Sequence, residues 1–277
     1  MVSIATFTNG DLILETITDS NKNRYFYGLN KNGNYLFQNE IGKPFFLMET
    51  TNNPGSEPYF NIFTVFSNKE NNNDKKEYLI FICNSITKIE LYDLENKKNY
   101  IVDIPDINSR TSNIKYMPFK IIEDDKIFTI FATIVSNNFI LLKLNVDDSN
   151  ADEPIVQIIA RSQTYYQVGI MTSCFETVTQ KIICFFRGST EYKIIAFNYN
   201  LDEEKQEVFT ASTSEFLKCV HIKENIGGFL YFSGSHPKIL FMEYNNENFE
   251  KISEVNLNYN SFENTIKRND FIKISDR

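Results

Sequence analysis

Tryptophan is absent from this 277-residue chain, glycine occurs only 10 times, and there are 2 histidines, His221 and His236. The histidines stand in "CVHIK" and "SGSHPK". With Cys83 and Cys219 single, the set is too sparse and scattered for the four ligands a zinc site needs, so no metal centre is expected. Ser233 and Ser235 next to His236 read as loop neighbours rather than as part of a triad. The chain has no G-x-S-x-G elbow. It also lacks a Walker A loop and a G-x-G-x-x-G loop, so neither a nucleotide nor another cofactor is expected. No run approaches the roughly 18 apolar residues of a membrane span, and no membrane insertion is expected. The start, "MVSIATFTNGD", lacks a basic n-region and a signal-length apolar stretch, which reads as cytoplasmic. Asn-x-Ser/Thr acceptor sites are also missing, which does not decide the compartment. The formal net charge is −8. Nucleic-acid partners rest on clustered Lys and Arg, so that balance argues against them.

Hydrophobic residues make up 42% of the chain and aromatic residues 14%, enough for a large core. Their spacing has period 2 rather than 3.6. "FTVF", "YLIFIC", "KIELYDL", "FILLKLNV", "YKIIAFNYN" and "ILFMEYN" are short β-branched and aromatic runs separated by polar turns. The chain reads as all-β. The stretch "NKENNND" from Asn68 to Asp74 reads as a flexible low-complexity loop.

The runs repeat. "YLIFICNS", "KIELYDL", "NYIVDI" recur in kind as "KIFTIFATIV", "FILLKLNV", "EPIVQII". They recur again as "KIICFFRGS", "YKIIAFNYN", "QEVFTA", and as "GFLYFSGS", "PKILFMEYN", "EKISEVNL". A leading strand precedes each set, at Tyr59, Tyr116, Tyr166 and Phe216, and a shorter first unit fits from Asp11 to Thr50. The period is roughly 50 residues. One four-stranded sheet cannot bury both faces alone, whereas sheets stacked around an axis can. The pattern resembles the β-propeller superfamily at the level of architecture. It has no Trp-Asp dipeptide, Asp-box or kelch glycine pair, so no named family within that superfamily follows. The expectation is one propeller-like domain over 1–277, with units at about 11–50, 59–104, 116–160, 166–211 and 216–258. The tail 259–277 would close the ring or begin a further unit, making the chain one module of a longer protein. "VSIATF" (Val2 to Phe7) could instead complete the last unit.

Cys174 and Cys184 flank a polar turn and face each other if that turn centres on Thr179. A bridge, a metal pair and two small core residues are all open readings. A bridge would place the protein outside the cytosol. Glycoside hydrolysis needs two converging carboxylates. The leading strands offer Asp11 and Glu15, about 13 Å apart on one strand, and Glu176 just past the end of another. No catalytic residue is assigned. Tyr25, Tyr27, Tyr165 and Tyr166 are the candidate contact surface, since tyrosine is enriched at interfaces. The expected function is a non-enzymatic interaction scaffold with a protein partner. One alternative is an extracellular adhesion or receptor module. The other is a glycoside-hydrolase-like propeller with a carbohydrate ligand near Asp11.

Overall fold

The computed structural model describes residues 4–17, 24–36, 46–48, 60–68, 75–83, 88–103, 119–135, 138–149, 154–163, 165–166, 168–188, 191–210, 218–233 and 236–256. Among the described residues all regular elements are strands, arranged as five four-stranded antiparallel sheets. The first sheet runs β1 (Ile4–Thr6), β2 (Leu12–Ile17), β3 (Arg24–Leu29), β4 (Phe46–Met48). The second runs β5 (Phe60–Phe66), β6 (Glu77–Cys83), β7 (Lys88–Asp93), β8 (Lys98–Asp103). The third holds β9 (Phe119–Glu123), β10 (Lys126–Val135), β11 (Asn138–Asp147) and β12 (Ile155–Arg161), with the two-residue β13 (Tyr165–Tyr166) added beside β11. The fourth is β14 (Val168–Glu176), β15 (Ile182–Gly188), β16 (Glu191–Phe197), β17 (Glu203–Thr210). The fifth is β18 (Lys218–Lys223), β19 (Ile226–Ser233), β20 (His236–Asn245), β21 (Asn248–Asn256).

The first sheet begins one strand earlier than the sequence reading placed it. Its leading strand is Ile4–Thr6, paired with β2 through Ile4↔Leu14 and Thr6↔Leu12. The segment at Val2 to Phe7 therefore opens the first sheet and does not complete the last. "NYLFQ" contributes the single bridge Leu29↔Tyr35 instead of a strand. Tyr166 also moves. It pairs with Asn138 of β11, and the leading strand of the fourth sheet begins two residues later. The tail from 259 lies outside the described residues.

Hairpin ends explain how so few glycines suffice. Residues 7–11, 30–34, 177–181 and 198–202 share one backbone pattern. The first N–H donates to the fifth carbonyl, and the fourth N–H donates back to the first. The fourth residue is left-handed each time: Gly10 and Gly33 in the first two loops, Gln180 and Leu201 in the others. This is a type I turn closed by a left-handed residue. Asp124–Asp125 and Asn246–Glu247 have positive φ at both positions, the two-residue turn that right-twisted strands favour. Asn and Asp tolerate that region through local side-chain bonds, and here they replace glycine.

The chain groups into two compact units. The first comprises Met1–Ile114, Ile122–Thr129 and Leu144–Ile158. The second comprises Lys115–Ile121, Ile130–Lys143 and Ile159–Arg277. In the first unit, Ala5, Phe7, Ile13 and Phe26 of the first sheet pack with Leu79 and Tyr92 of the second. In the second unit, Phe175, Ile183, Phe185, Tyr192 and Ile194 of the fourth sheet pack with Phe229, Leu240 and Met242 of the fifth. Middle strands are buried on both faces, as the unbroken run Ile182 to Phe186 shows. Outer strands are not, and β21 is mostly exposed.

Gly227 lies where Phe175 of the fourth sheet crowds against the fifth. A Cβ there would lie 2.6 Å from Phe175 Cε1 and 2.9 Å from Phe229 Cζ. Both rings sit in the packed cluster and have little room to give. Gly227→Ala is expected to cost about 1–3 kcal/mol. Urea unfolding checks this, and an unchanged midpoint would show that the two rings yield freely.

Candidate functional site

The end of β14 carries the most chemically suggestive group in the second unit. Glu176 follows Cys174 and Phe175 on a strand whose side chains alternate. Phe175 goes into the core, and Glu176 takes the opposite face with Cys174. The turn after β14 is fixed by Thr177, whose Oγ1 accepts from the Lys181 N–H at 3.0 Å. The turn after β16 is fixed by Asn198, whose side-chain oxygen accepts from the N–H groups of Asn200 at 2.9 Å and Asp202 at 3.0 Å. That second turn presents Tyr199, whose hydroxyl donates to Glu176 Oε1 in a short hydrogen bond. Burial pushes the Glu176 carboxyl above its ordinary value.

Lys143 completes the cluster. It lies in the middle of β11 between buried Leu142 and Leu144, and its own side chain is buried. Its Nζ donates to the Tyr199 carbonyl at 3.1 Å and lies 5.7 Å from the centroid of the Tyr199 ring. An ammonium taken out of water is costly unless hydrogen bonds and dipoles surround it. The arrangement is therefore a carboxyl displaced towards neutrality, a phenol that donates to it, and a buried cation beside the phenol. Such a group can accept and return a proton.

Beside this cluster, Cys174 and Cys184 are direct cross-strand partners with a Cα–Cα distance of 4.3 Å, and their sulfurs are joined. Phe175, between Cys174 and Glu176, stacks on His221 with ring centroids 5.2 Å apart. His221 Nε2 donates to the Glu224 carbonyl of its own turn at 2.9 Å, and it takes no part in a metal cluster among the described residues.

The first unit holds two further polar groups. Asp93 is buried and accepts from Lys76 Nζ at 2.5 Å, from Asn96 Nδ2 at 2.8 Å and from two turn N–H groups. Burial raises its carboxyl, but the bonds from Lys76 and Asn96 outweigh that and hold it below the usual value. These bonds close the turn after β7, which is a structural role. Tyr78 donates to Asp148 Oδ2 at 3.2 Å, and burial followed by the Asp148 charge pushes its phenol up.

Other residues singled out in the sequence are placed differently. Asp11 is not on a leading strand. It sits in the turn before β2, where its carboxylate accepts from Asn9 Nδ2 at 2.9 Å. The carboxylate pair of Asp11 and Glu15 is thereby set aside, because Asp11 serves its own turn. Tyr25 and Tyr27 are half-buried on one face of β3, with Phe26 buried on the other. Tyr165 and Tyr166 belong to the second unit, and their side chains lie outside the described residues. The four tyrosines are thus split between the two units. Asn68 is no mobile loop residue. It is buried and makes side-chain bonds to Ile127 and Asn145. Lys143 and Tyr199 were missed in the sequence. The available signal was a lone lysine inside the apolar run "FILLKLNV".

No family model and no curated protein matches the chain. Among solved structures, a Lactobacillus plantarum protein aligns over 91% of this chain and 70% of its own length, at 8% identity and TM-score 0.49. A provisionally assigned 6-phosphogluconolactonase from Bacteroides fragilis aligns over 91% and 70%, at 13% identity and TM-score 0.49. A prolyl endopeptidase aligns over 90% of this chain and 33% of its own, at 9% identity and TM-score 0.41. Two of these three are named for hydrolytic activity, and the expectation of a non-enzymatic scaffold is withdrawn on that finding. The likeness carries no activity over to this chain.

Proposed function

We propose that the protein is a hydrolase of small carbonyl substrates, esters or lactones, with Glu176 as the group that takes the proton from the attacking water. The observation that carries this reading is the half-buried Glu176 carboxyl, raised by desolvation and bonded to the Tyr199 hydroxyl. The Tyr199 hydroxyl donates, so the carboxylate form is the one held in place, and that form is a base. A single carboxylate suits the activation of water for addition to a carbonyl. Glycoside hydrolysis would call for a second carboxylate across the bond.

The test uses the full chain with a panel of chromogenic esters, lactones and glycosides. Ester or lactone turnover is expected, and Glu176→Gln should lower kcat/KM by about 100-fold or more with the fold retained by circular dichroism. The rate should rise as pH rises through the Glu176 pKa, because the base must be unprotonated. Since burial raises that pKa, the rise should fall above the usual glutamate value of about 4.3. Turnover confined to glycosides, no turnover at all, or activity indifferent to Glu176→Gln would each reject the reading.

A further inference from the structure

We propose that Cys174–Cys184 is an exchangeable disulfide, opened by small monothiols of the glutathione class and closed by their disulfides, with Cys174 as the sulfur that is attacked. The inference stands apart from the hydrolase reading, because its evidence is the environment of the two sulfurs.

The two halves of the bridge sit in unlike places. Cys184 lies on β15 between β14 and β16, paired with Cys174 on one side and Ile195 on the other. It is fully buried in the run Ile182 to Phe186. Cys174 lies on β14, which has a strand neighbour on one side only in its sheet, and it is only partly buried. The ladder beside it is irregular, with register shifts between Val168 and Ile170 and between Met171 and Ser173. Irregular pairing at a sheet edge lowers the cost of local opening. Exchange requires an external thiolate to approach a sulfur in line with the bond, so access selects the sulfur. Here access selects Cys174.

The steps balance without further reagents. A monothiolate attacks Cys174 Sγ, and a bond forms between the external sulfur and that atom. The Cys174–Cys184 bond breaks, and its electron pair leaves on Cys184 Sγ, which takes a proton. A second monothiolate attacks the external sulfur of the mixed disulfide. It releases the symmetrical small disulfide and leaves Cys174 as a thiolate. Two monothiols are oxidised and one protein disulfide is reduced. Run backwards, the small disulfide closes the bridge. The ladder keeps both sulfurs in register, with Cα atoms 4.3 Å apart, so closure needs no search.

The experiment treats the native full chain with reduced glutathione, quenches with acid, alkylates, and locates modified cysteines by peptide mass mapping. Mapping separates this pair from Cys83 and Cys219. The wild-type bridge is expected to open at a rate proportional to glutathione concentration while circular dichroism stays native. The single variants are then treated with glutathione disulfide. Cys184→Ala should take the adduct at Cys174, and Cys174→Ala should take it at Cys184 about 100-fold more slowly. Wild-type reduction that is independent of glutathione and follows the unfolding rate would overturn the proposal. So would an adduct that forms as fast on Cys184 as on Cys174. The wild-type measurement decides the question even if a variant fails to fold.

Discussion

Replacing Phe185 by alanine is expected to lower the unfolding free energy by about 3–5 kcal/mol. Phe185 lies on the second strand of the fourth sheet and is 2% exposed. Its ring meets the edge of Phe229 from the fifth sheet, with centroids 5.0 Å apart, and tilts against Tyr192 at 6.1 Å. It thus occupies the layer where two sheets interdigitate, and its neighbours come from both. Removing the ring loses its transfer energy and leaves a cavity that strands tied by their own ladders cannot close. Domains of this kind are stable by only about 5–15 kcal/mol, so the loss is a large share of the whole. Val208→Ala on the outer strand β17, 48% exposed, is the internal control and should cost under about 0.5 kcal/mol. Urea unfolding of the two variants gives the comparison. Equal losses would mean that the sheets do not stack through Phe185.

The second large effect is expected at Asn68, and it is polar. Asn68→Ala should cost about 3–5 kcal/mol, measured in the same way. Its Nδ2 donates to the Ile127 carbonyl at 2.9 Å and to Asn145 Oδ1 at 2.9 Å, and its Oδ1 accepts from the Ile127 N–H at 2.8 Å. Its own N–H donates to the Val146 carbonyl at 2.8 Å. Three segments of the first unit, ending β5, opening β10 and closing β11, therefore share one side chain. Alanine would leave buried backbone groups without partners, and each such group costs about 1–3 kcal/mol. Asn68→Asp should be nearly as damaging. It keeps the acceptor for Ile127 but loses both donors, and it buries a charge. A loss below about 1 kcal/mol for both variants would show that water replaces these bonds freely.

The two positions differ in how far the sequence disclosed them. Phe185 stands in "IICFF", and an apolar run bounded by turn residues is the mark of a strand covered on both faces. Repetition of such runs is why the sheets could be counted. The first sheet was displaced by one strand because "IAT" is too short and mild to signal a strand. It pairs only because Leu12, Ile13 and Leu14 offer it a ladder. Asn68 was misread because its local neighbours are polar, while its partners lie 59 and 77 residues away. The same limit applies to the candidate site. Glu176 could be picked out from its place at a strand end. Tyr199 reaches it from the turn after β16 and Lys143 reaches Tyr199 from β11, and no local pattern records those meetings. Cys174 and Cys184 are the intermediate case. Their spacing allowed a pairing, and the turn register decided it.

The mixed character of the outer strands has a consequence for how the protein behaves in a crowded solution. Ile155 and Ile159 on β12, Val208 on β17, and Ile252 and Val255 on β21 are exposed. A bare row of such side chains along an open ladder would template self-association. On β17 and β21 the row is interrupted by charge instead. Glu203, Glu204, Lys205 and Glu207 crowd β17, and on β21 Glu254 is gripped by Lys238 at 2.7 Å and by Lys251 at 2.5 Å. Those bonds hold the Glu254 carboxyl at about 2, so it stays ionised well into acid. The rim of the fifth sheet thereby acts as a gatekeeper against strand-to-strand growth, and Glu254 keeps its charge there at pH values where ordinary carboxylates have begun to lose theirs.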